Sequence, residues 1–79
     1  MERTDILKVI EEVVSDVIDN RVCLTESSCA EDVEGWDSLA HIQIIDGLQG
    51  KFNVKFSAKD MISWLTVGNM IDSIERKIS

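Results

Sequence analysis

The chain is predicted to be all-α, a four-helix bundle with a short third helix and a long loop between the first two helices. Three observations predict this. Apolar residues recur every three or four positions in three segments, no segment alternates as a β-strand does, and residues that cap helices precede the apolar runs. With 79 residues, 44% of them apolar, we expect one folded domain spanning residues 1–79.

The first helix is predicted from Thr4 or Asp5, either of which can cap it, to about Asn20. Its apolar stripe comprises Ile6, Leu7, Ile10, Val13, Val14, Val17 and Ile18. Residues 19–36 show no lasting period and are expected to form a long ordered loop, of the kind that often carries function in a small domain. Three residues are expected to pin this loop to the core: Cys23, Leu24 and Val33.

The second helix is predicted to start at Ser38, with Asp37 as its N-cap. Helical spacing assigns its core face to Ile44, Ile45, Leu48 and Phe52, which His41 extends by one turn. The opposite side receives Leu39, Gln43, Asp46, Gly47 and Gly50. Because a glycine in a helix interior costs about 1 kcal/mol relative to alanine, the end of this helix is expected to be loose.

Two further helices follow. Ser57 and Asp60 resemble a capping box, which predicts a short third helix near 58–63. Thr66 is the predicted cap of the last helix, whose buried stripe comprises Val67, Met70, Ile71, Ile74 and Ile78.

The net charge, the apolar segments and the cysteines of the chain argue against several classes of function. A net charge of −7 argues against nucleic acid as a partner, because phosphates would be repelled. Residues 1–37 carry eleven acids and three bases, whereas residues 38–79 carry four and five. We expect a cytoplasmic monomer without membrane insertion, since no segment is apolar enough to span a bilayer and the start does not resemble a signal peptide. Cys23 and Cys29 are expected to be free thiols, and no metal site is expected.

The order of the elements and the residues around Ser38 resemble the acyl carrier protein family over nearly the whole chain. The most specific part runs from Gly35 to Val67: Asp37-Ser38-Leu39 at a helix start, then Leu48, Phe52 and Leu65-Thr66-Val67. The resemblance implies a carrier, not an enzyme. A phosphopantetheinyl transferase would attach 4′-phosphopantetheine from coenzyme A to Ser38 through a phosphodiester, and the thiol of this arm would carry an acyl group as a thioester.

The resemblance also assigns roles to neighbouring residues. Asp37 and Leu39 flank the attachment site, and Asp37 is expected to contact the transferase. Acyl-loading and acyl-transfer enzymes are the other expected partners, and the surface that meets partners comprises Trp36, Gln43, Asp46, Gly47, Met61 and Ile62. Of these, Met61 and Ile62 are also expected to line the mouth through which the acyl chain enters. Trp36 equally fits ordinary packing of loop against helix.

The second helix departs from the family pattern in its charge. The fatty-acid-synthesis carriers that this chain resembles present glutamates there, whereas this chain offers Gln43, Gly47, Gln49 and Gly50, with Asp46 acidic and Lys51 and Lys55 basic. Charge complementarity sets association rate and partner choice. We therefore expect a specialised carrier for a dedicated lipid, lipopolysaccharide or secondary-metabolite pathway.

Three alternatives remain open. An aminoacyl or peptidyl carrier usually has a glycine pair and a histidine or aspartate before its serine, whereas Gly35 and Asp37 flank Trp36 here. An unmodified helical adaptor would leave Ser38 bare. A hydrolase would pair Ser38 with His41 as nucleophile and base, but His41 falls on the core-facing stripe and no third partner is evident.

Overall fold

The computed structural model describes residues 2–62 and 64–78, and within these ranges it contains no β-strand. Its four helices are α1 (Arg3–Ile18), α2 (Ser38–Phe52), α3 (Ala58–Ile62) and α4 (Val67–Ile78). One turn of 3₁₀-helix, Ala30–Asp32, lies within the long loop between α1 and α2. The predicted all-α class with a short third helix is confirmed. Residue 63, the predicted end of α3, lies outside the described residues.

The N-cap of α1 lies two or three residues before the predicted one. Glu2 is the N-cap, and its backbone N–H donates to the carboxylate of Asp5, so that the two residues form a capping box. The predicted cap at Thr4 or Asp5 is therefore wrong. Glutamate is a poor N-cap by itself, but Asp5, the third residue of the helix, accepts the Glu2 N–H and makes Glu2 suitable. The helix ends at Ile18, before the predicted Asn20, since Asp19 adopts a left-handed conformation (φ 54°).

The core lies between α1, α2 and α4, and α1 packs against both other helices. The predicted apolar stripes supply it, with Phe52 and Ile78 partly buried at its edge. Buried residues from the three long helices are Ile6, Ile10, Val13, Val14, Ala40, Ile44, Ile45, Leu48, Val67, Met70, Ile71 and Ile74, to which the loops add Leu24, Trp36, Phe56 and Trp64. The buried indole of Trp64 donates to the Ser73 hydroxyl at 2.8 Å, which satisfies its polar atom.

The long loop is tied down at several points. Leu24 is buried, Val33 is partly buried, and the Leu24 N–H donates to a carboxylate oxygen of Glu11 at 2.7 Å. Cys23 is exposed, so its predicted role as a core anchor is wrong; the next residue, Leu24, takes that position. Both cysteines are free thiols.

An ionic cluster joins the loop to both ends of the chain. The guanidinium of Arg3, on the first turn of α1, donates to Glu26 of the loop and to Asp72 and Glu75 of α4. These bonds hold the pKa of Arg3 above its ordinary value, and Arg3 lowers the pKa of Glu26. The cluster is at the surface, so each pair contributes little alone, but together they hold the loop against the first turn of α1 and against α4.

The two shorter connections are capped as predicted. The Ser57 N–H and the Asp60 N–H donate to each other's side chain at 3.1 Å, which confirms the capping box of α3. At α4, the Asn69 N–H donates to the Thr66 hydroxyl at 3.3 Å, which confirms Thr66 as the cap.

The two interior glycines of α2 have different surroundings. A Cβ at Gly47 would lie 2.8 Å from Cγ1 of Val13 on α1, whereas a Cβ at Gly50 would meet nothing within 4 Å. The prediction that Gly47 faces away from the core is wrong, because α1 and α2 approach each other too closely at this point for a side chain. Looseness at the end of α2 remains a prediction.

We expect opposite effects when the two glycines are replaced by alanine. Gly50→Ala should raise the free energy of unfolding by about 0.5–1 kcal/mol, because alanine favours the helix. Gly47→Ala should lower it by roughly 1 kcal/mol, because Val13 is buried and stiff and cannot move aside cheaply. Urea unfolding of both variants measures this. Equal stabilisation by both would show that close helix contact at Gly47 is not a constraint.

Candidate functional site

The site is organised around the first turn of α2. Asp37 has an extended backbone, and its Oδ1 accepts a hydrogen bond from the Ala40 N–H at 2.8 Å. A cap of this kind contributes about 1 kcal/mol. The predicted cap and helix start are therefore confirmed. Ser38 follows as an exposed residue, and the described part of the chain provides no hydrogen-bond partner for its hydroxyl.

The residues before the cap determine what is exposed. Gly35 has φ +92°, a conformation that residues with a side chain rarely adopt, and a Cβ at this position would lie 3.4 Å from Cβ of Ile18 at the end of α1. This turn carries Trp36 into the core, where only 8% of the residue is exposed. Trp36 therefore packs the loop against the helix, the ordinary role that the sequence left open for it. Asp37 and Ser38 remain at the surface.

Trp36 is hydrogen-bonded to His41 across the first turn of α2. The indole Nε1–H donates to Nδ1 of His41 at 3.1 Å, and the two rings are stacked at an interplanar angle of 29°. Because Nδ1 accepts a hydrogen bond, the hydrogen of the neutral imidazole is on Nε2. Partial burial lowers the pKa of His41, so the ring is neutral at pH 7. No hydrogen bond joins Ser38 to His41 among the described residues, and the unprotonated nitrogen of His41 is bonded to Trp36.

An open groove lies beside Ser38 on the side of the long loop. Its volume is about 550 Å³, and we call it the loop-side groove. Its lining is mostly apolar and comprises Ala30, Trp36, Asp37, Ser38, His41 and Ile42.

A second open groove, the helix-side groove, lies along α2 toward α3 and has a volume of about 330 Å³. It brings together three residues of the predicted partner surface, Gln43, Asp46 and Met61. Ile42, Ile45 and Gln49 complete its lining. Grooves of this kind, apolar with a few polar groups, are typical of sites for ligands or protein segments.

The other predicted partner residues are not part of this groove. Ile62 is 80% exposed on α3, Gly47 faces Val13, and Trp36 lines the loop-side groove. Leu39 is 66% exposed beside Ser38, on the side of α2 predicted for it.

Ile42 was not predicted as a site residue, although it is 65% exposed and lines both grooves. The sequence contained a signal for it. Ile42 is an apolar residue of the second helix outside the core stripe, one turn after Ser38. Leu39 and Ile42 are three residues apart on the same helix and both exposed, and adjacent exposed apolar side chains are typical of a contact surface.

The charge of the site differs from that of the rest of the chain. From Ser38 to Ile62 there are two acids, Asp46 and Asp60, and three lysines, Lys51, Lys55 and Lys59. Lys51 lies 3.7 Å from a carboxylate oxygen of Glu12, and Lys77 of α4 lies 3.4 Å from Asp60. The site surface is thus close to neutral, while the acids are concentrated on α1 and the long loop.

Comparison with solved structures supports the resemblance to acyl carrier proteins. The chain matches the solution NMR structure of the holo acyl carrier protein from Geobacter metallireducens with a TM-score of 0.84. The two are 27% identical, and the match covers 91% of this chain and 84% of the other. The resemblance to the acyl carrier protein family is confirmed. No protein-family model matches the chain, and no curated protein matches it by sequence.

The acyl carrier protein fold indicates a carrier rather than a catalyst. The described residues contain no group of three or more histidines, cysteines or acids that could hold a metal ion. None of the helices described is both long and apolar enough to cross a bilayer.

The lowered pKa of His41 predicts a pH dependence of stability. Below about pH 6.5 the unfolded chain takes up a proton at His41 that the folded chain does not, so stability falls as the pH falls through that value. We expect the wild type to lose more unfolding free energy than His41→Gln between about pH 7.5 and about pH 5.5, because glutamine does not titrate.

Urea unfolding at the two pH values measures this difference. The carboxylates of Glu26 and Asp60 also have lowered pKa values, but they change stability only at more acidic pH, below about 4.5. Equal losses in the wild type and the variant would contradict the assignment to His41.

Proposed function

We propose that this chain is an acyl carrier that bears 4′-phosphopantetheine on Ser38 and carries its cargo as a thioester. One observation carries the proposal. Within an acyl carrier protein fold, the serine of Asp37-Ser38-Leu39 is an exposed residue on the first turn of α2, and its hydroxyl has no partner among the described residues. The similar solved structure is of a holo form, which supports a prosthetic group here as well.

The residues present suit this group. The free N–H groups at the start of α2 favour the negative charge of a phosphodiester at Ser38, an effect worth about 0.3–1 kcal/mol. The open loop-side groove leaves the hydroxyl accessible to a transferase. In the modification, the bond from Ser38 Oγ to phosphorus forms and the bond to the nucleotide half of coenzyme A breaks. The transferase takes up the hydroxyl proton, so the carrier needs no base of its own.

We further propose that the carrier serves a dedicated lipid, lipopolysaccharide or secondary-metabolite pathway in the cytoplasm. The exposed face of α2 presents Leu39, Ile42 and Gln43, and Asp46 is its one acid. A partner enzyme that docks here meets an apolar and nearly neutral surface. Enzymes that recognise carriers by their acids would associate with it slowly, because opposite charges are what accelerate the encounter.

The first test of the function is the intact mass of the protein after incubation with coenzyme A, Mg²⁺ and a broad-specificity phosphopantetheinyl transferase. We expect a gain of one phosphopantetheine on the wild type and none on Ser38→Ala. Ser27→Ala, an exposed serine of the long loop, is the matched control and should be modified like the wild type.

A folded, unmodified wild type that gains no mass would contradict the proposal and favour a bare binding module. Circular dichroism of each variant establishes that it is folded. A gain on Ser38→Ala would assign the modification to another residue.

Adding acidic residues to the exposed face of α2 tests whether its charge determines which enzymes the carrier binds. Gln43 is exposed, and Gly50 is exposed with open space beside it. Gln49 is less suitable for an added acid, because its Oε1 accepts the Phe56 N–H at 2.9 Å and holds the following loop. We expect Gln43→Glu/Gly50→Glu to raise the turnover of the holo protein by fatty-acid enzymes by about tenfold at low salt.

Gln43→Lys/Gly50→Lys is the control, since it makes the same changes of size and helix propensity with the opposite charge. The initial rate of acyl loading measures the effect. Equal rates for both double variants would disprove the electrostatic account while leaving the carrier function intact.

A further inference from the structure

Two grooves flank the first turns of α2, the helix that carries Ser38. We propose that the first half of the phosphopantetheine arm lies in the loop-side groove, against Trp36 and His41, with Nε2–H of His41 donating to an amide carbonyl of the arm. This inference rests on the proposed function. It concerns a binding site for the arm itself, not for the acyl chain or a partner enzyme.

Position is the first argument. Ser38 lines the loop-side groove, and so do its neighbours Trp36 and Asp37. The helix-side groove begins at Ile42, one helical turn after Ser38. The atoms of the arm nearest the phosphodiester are therefore beside the loop-side groove before they can reach the other one.

Shape and polarity are the second argument. The part of the arm next to the phosphate carries two methyl groups on one carbon, followed by two amides. The loop-side groove offers apolar surface from Ala30, Trp36 and Ile42 for the methyl groups. It also offers the imidazole of His41, one turn along the helix from Ser38, as a polar group on the same wall.

The hydrogen bond from Trp36 is the third argument. Because the indole N–H occupies Nδ1 of His41, the ring is held in one orientation, and its remaining nitrogen, Nε2, carries a hydrogen. The described residues provide no acceptor for this N–H. A neutral, half-buried donor with a fixed direction is suited to an amide carbonyl. The helix-side groove offers the Gln43 amide instead, but this side chain is exposed, so water competes for its hydrogen bonds.

The experiment uses isotope-labelled holo protein whose mass establishes that the arm is present. Nuclear Overhauser effects are recorded from the two methyl groups of the arm. We expect contacts to the Trp36 and His41 rings, and a shift of the Trp36 indole N–H resonance between apo and holo forms. Contacts to Ile45 and Met61 instead, or to no residue of the protein, would overturn the proposal.

Two variants test whether the His41 ring holds the arm. His41→Phe keeps an aromatic ring but removes both the Nε2 donor and the Nδ1 acceptor of the Trp36 indole, and we expect the arm-to-Trp36 contacts to be lost from its holo form. Gln43→Ala removes a polar group of the helix-side groove, and the contacts should persist. If His41→Phe does not fold, the wild-type contacts decide alone.

Absence of the mass gain would contradict the proposed function, whereas a mass gain with contacts elsewhere would contradict only this placement.

Discussion

The site depends on how the start of α2 is fixed. Trp36 is buried immediately before the helix, and Asp37 caps the helix through the Ala40 N–H. Trp36 fixes the chain in the core and Asp37 caps the helix. Together they fix the position of Ser38 at the surface. The bond from Trp36 to His41 adds a tie across the first turn. Loss of the Trp36 anchor would change the helix start, the loop-side groove and the exposure of Ser38 together.

This anchor requires an ordered loop between α1 and α2. The positive φ at Gly35 allows the chain to turn beside Ile18, and Leu24 is buried further back in the loop. The N–H groups of Val67 and Gly68 donate to carbonyl oxygens of the same loop at 2.8 Å, which joins it to the start of α4. In a domain of this size the core is small, so such polar ties contribute a large part of the order of the loop.

The sequence predicts local features of this fold well. Apolar periodicity identified the core stripes, and capping chemistry identified Asp37, Ser57 and Thr66, because each depends on residues close in the chain. It failed locally at the N-cap of α1, which is Glu2, and otherwise where distant segments meet. The contact of Gly47 with Val13 and the bond between Trp36 and His41 depend on how α2 packs against α1 and the loop, which periodicity does not specify. Ile42 lies outside the core stripe, so apolar periodicity does not select it.

The central claim is that Ser38 is the attachment point in the cell. It is tested most directly by tandem mass spectrometry of the peptide around Ser38, from protein isolated out of cells that produce it naturally. The account predicts 4′-phosphopantetheine on the Ser38 oxygen, and any acyl group on its thiol would identify the cargo. A peptide that carries an unmodified Ser38 in every preparation would contradict the account.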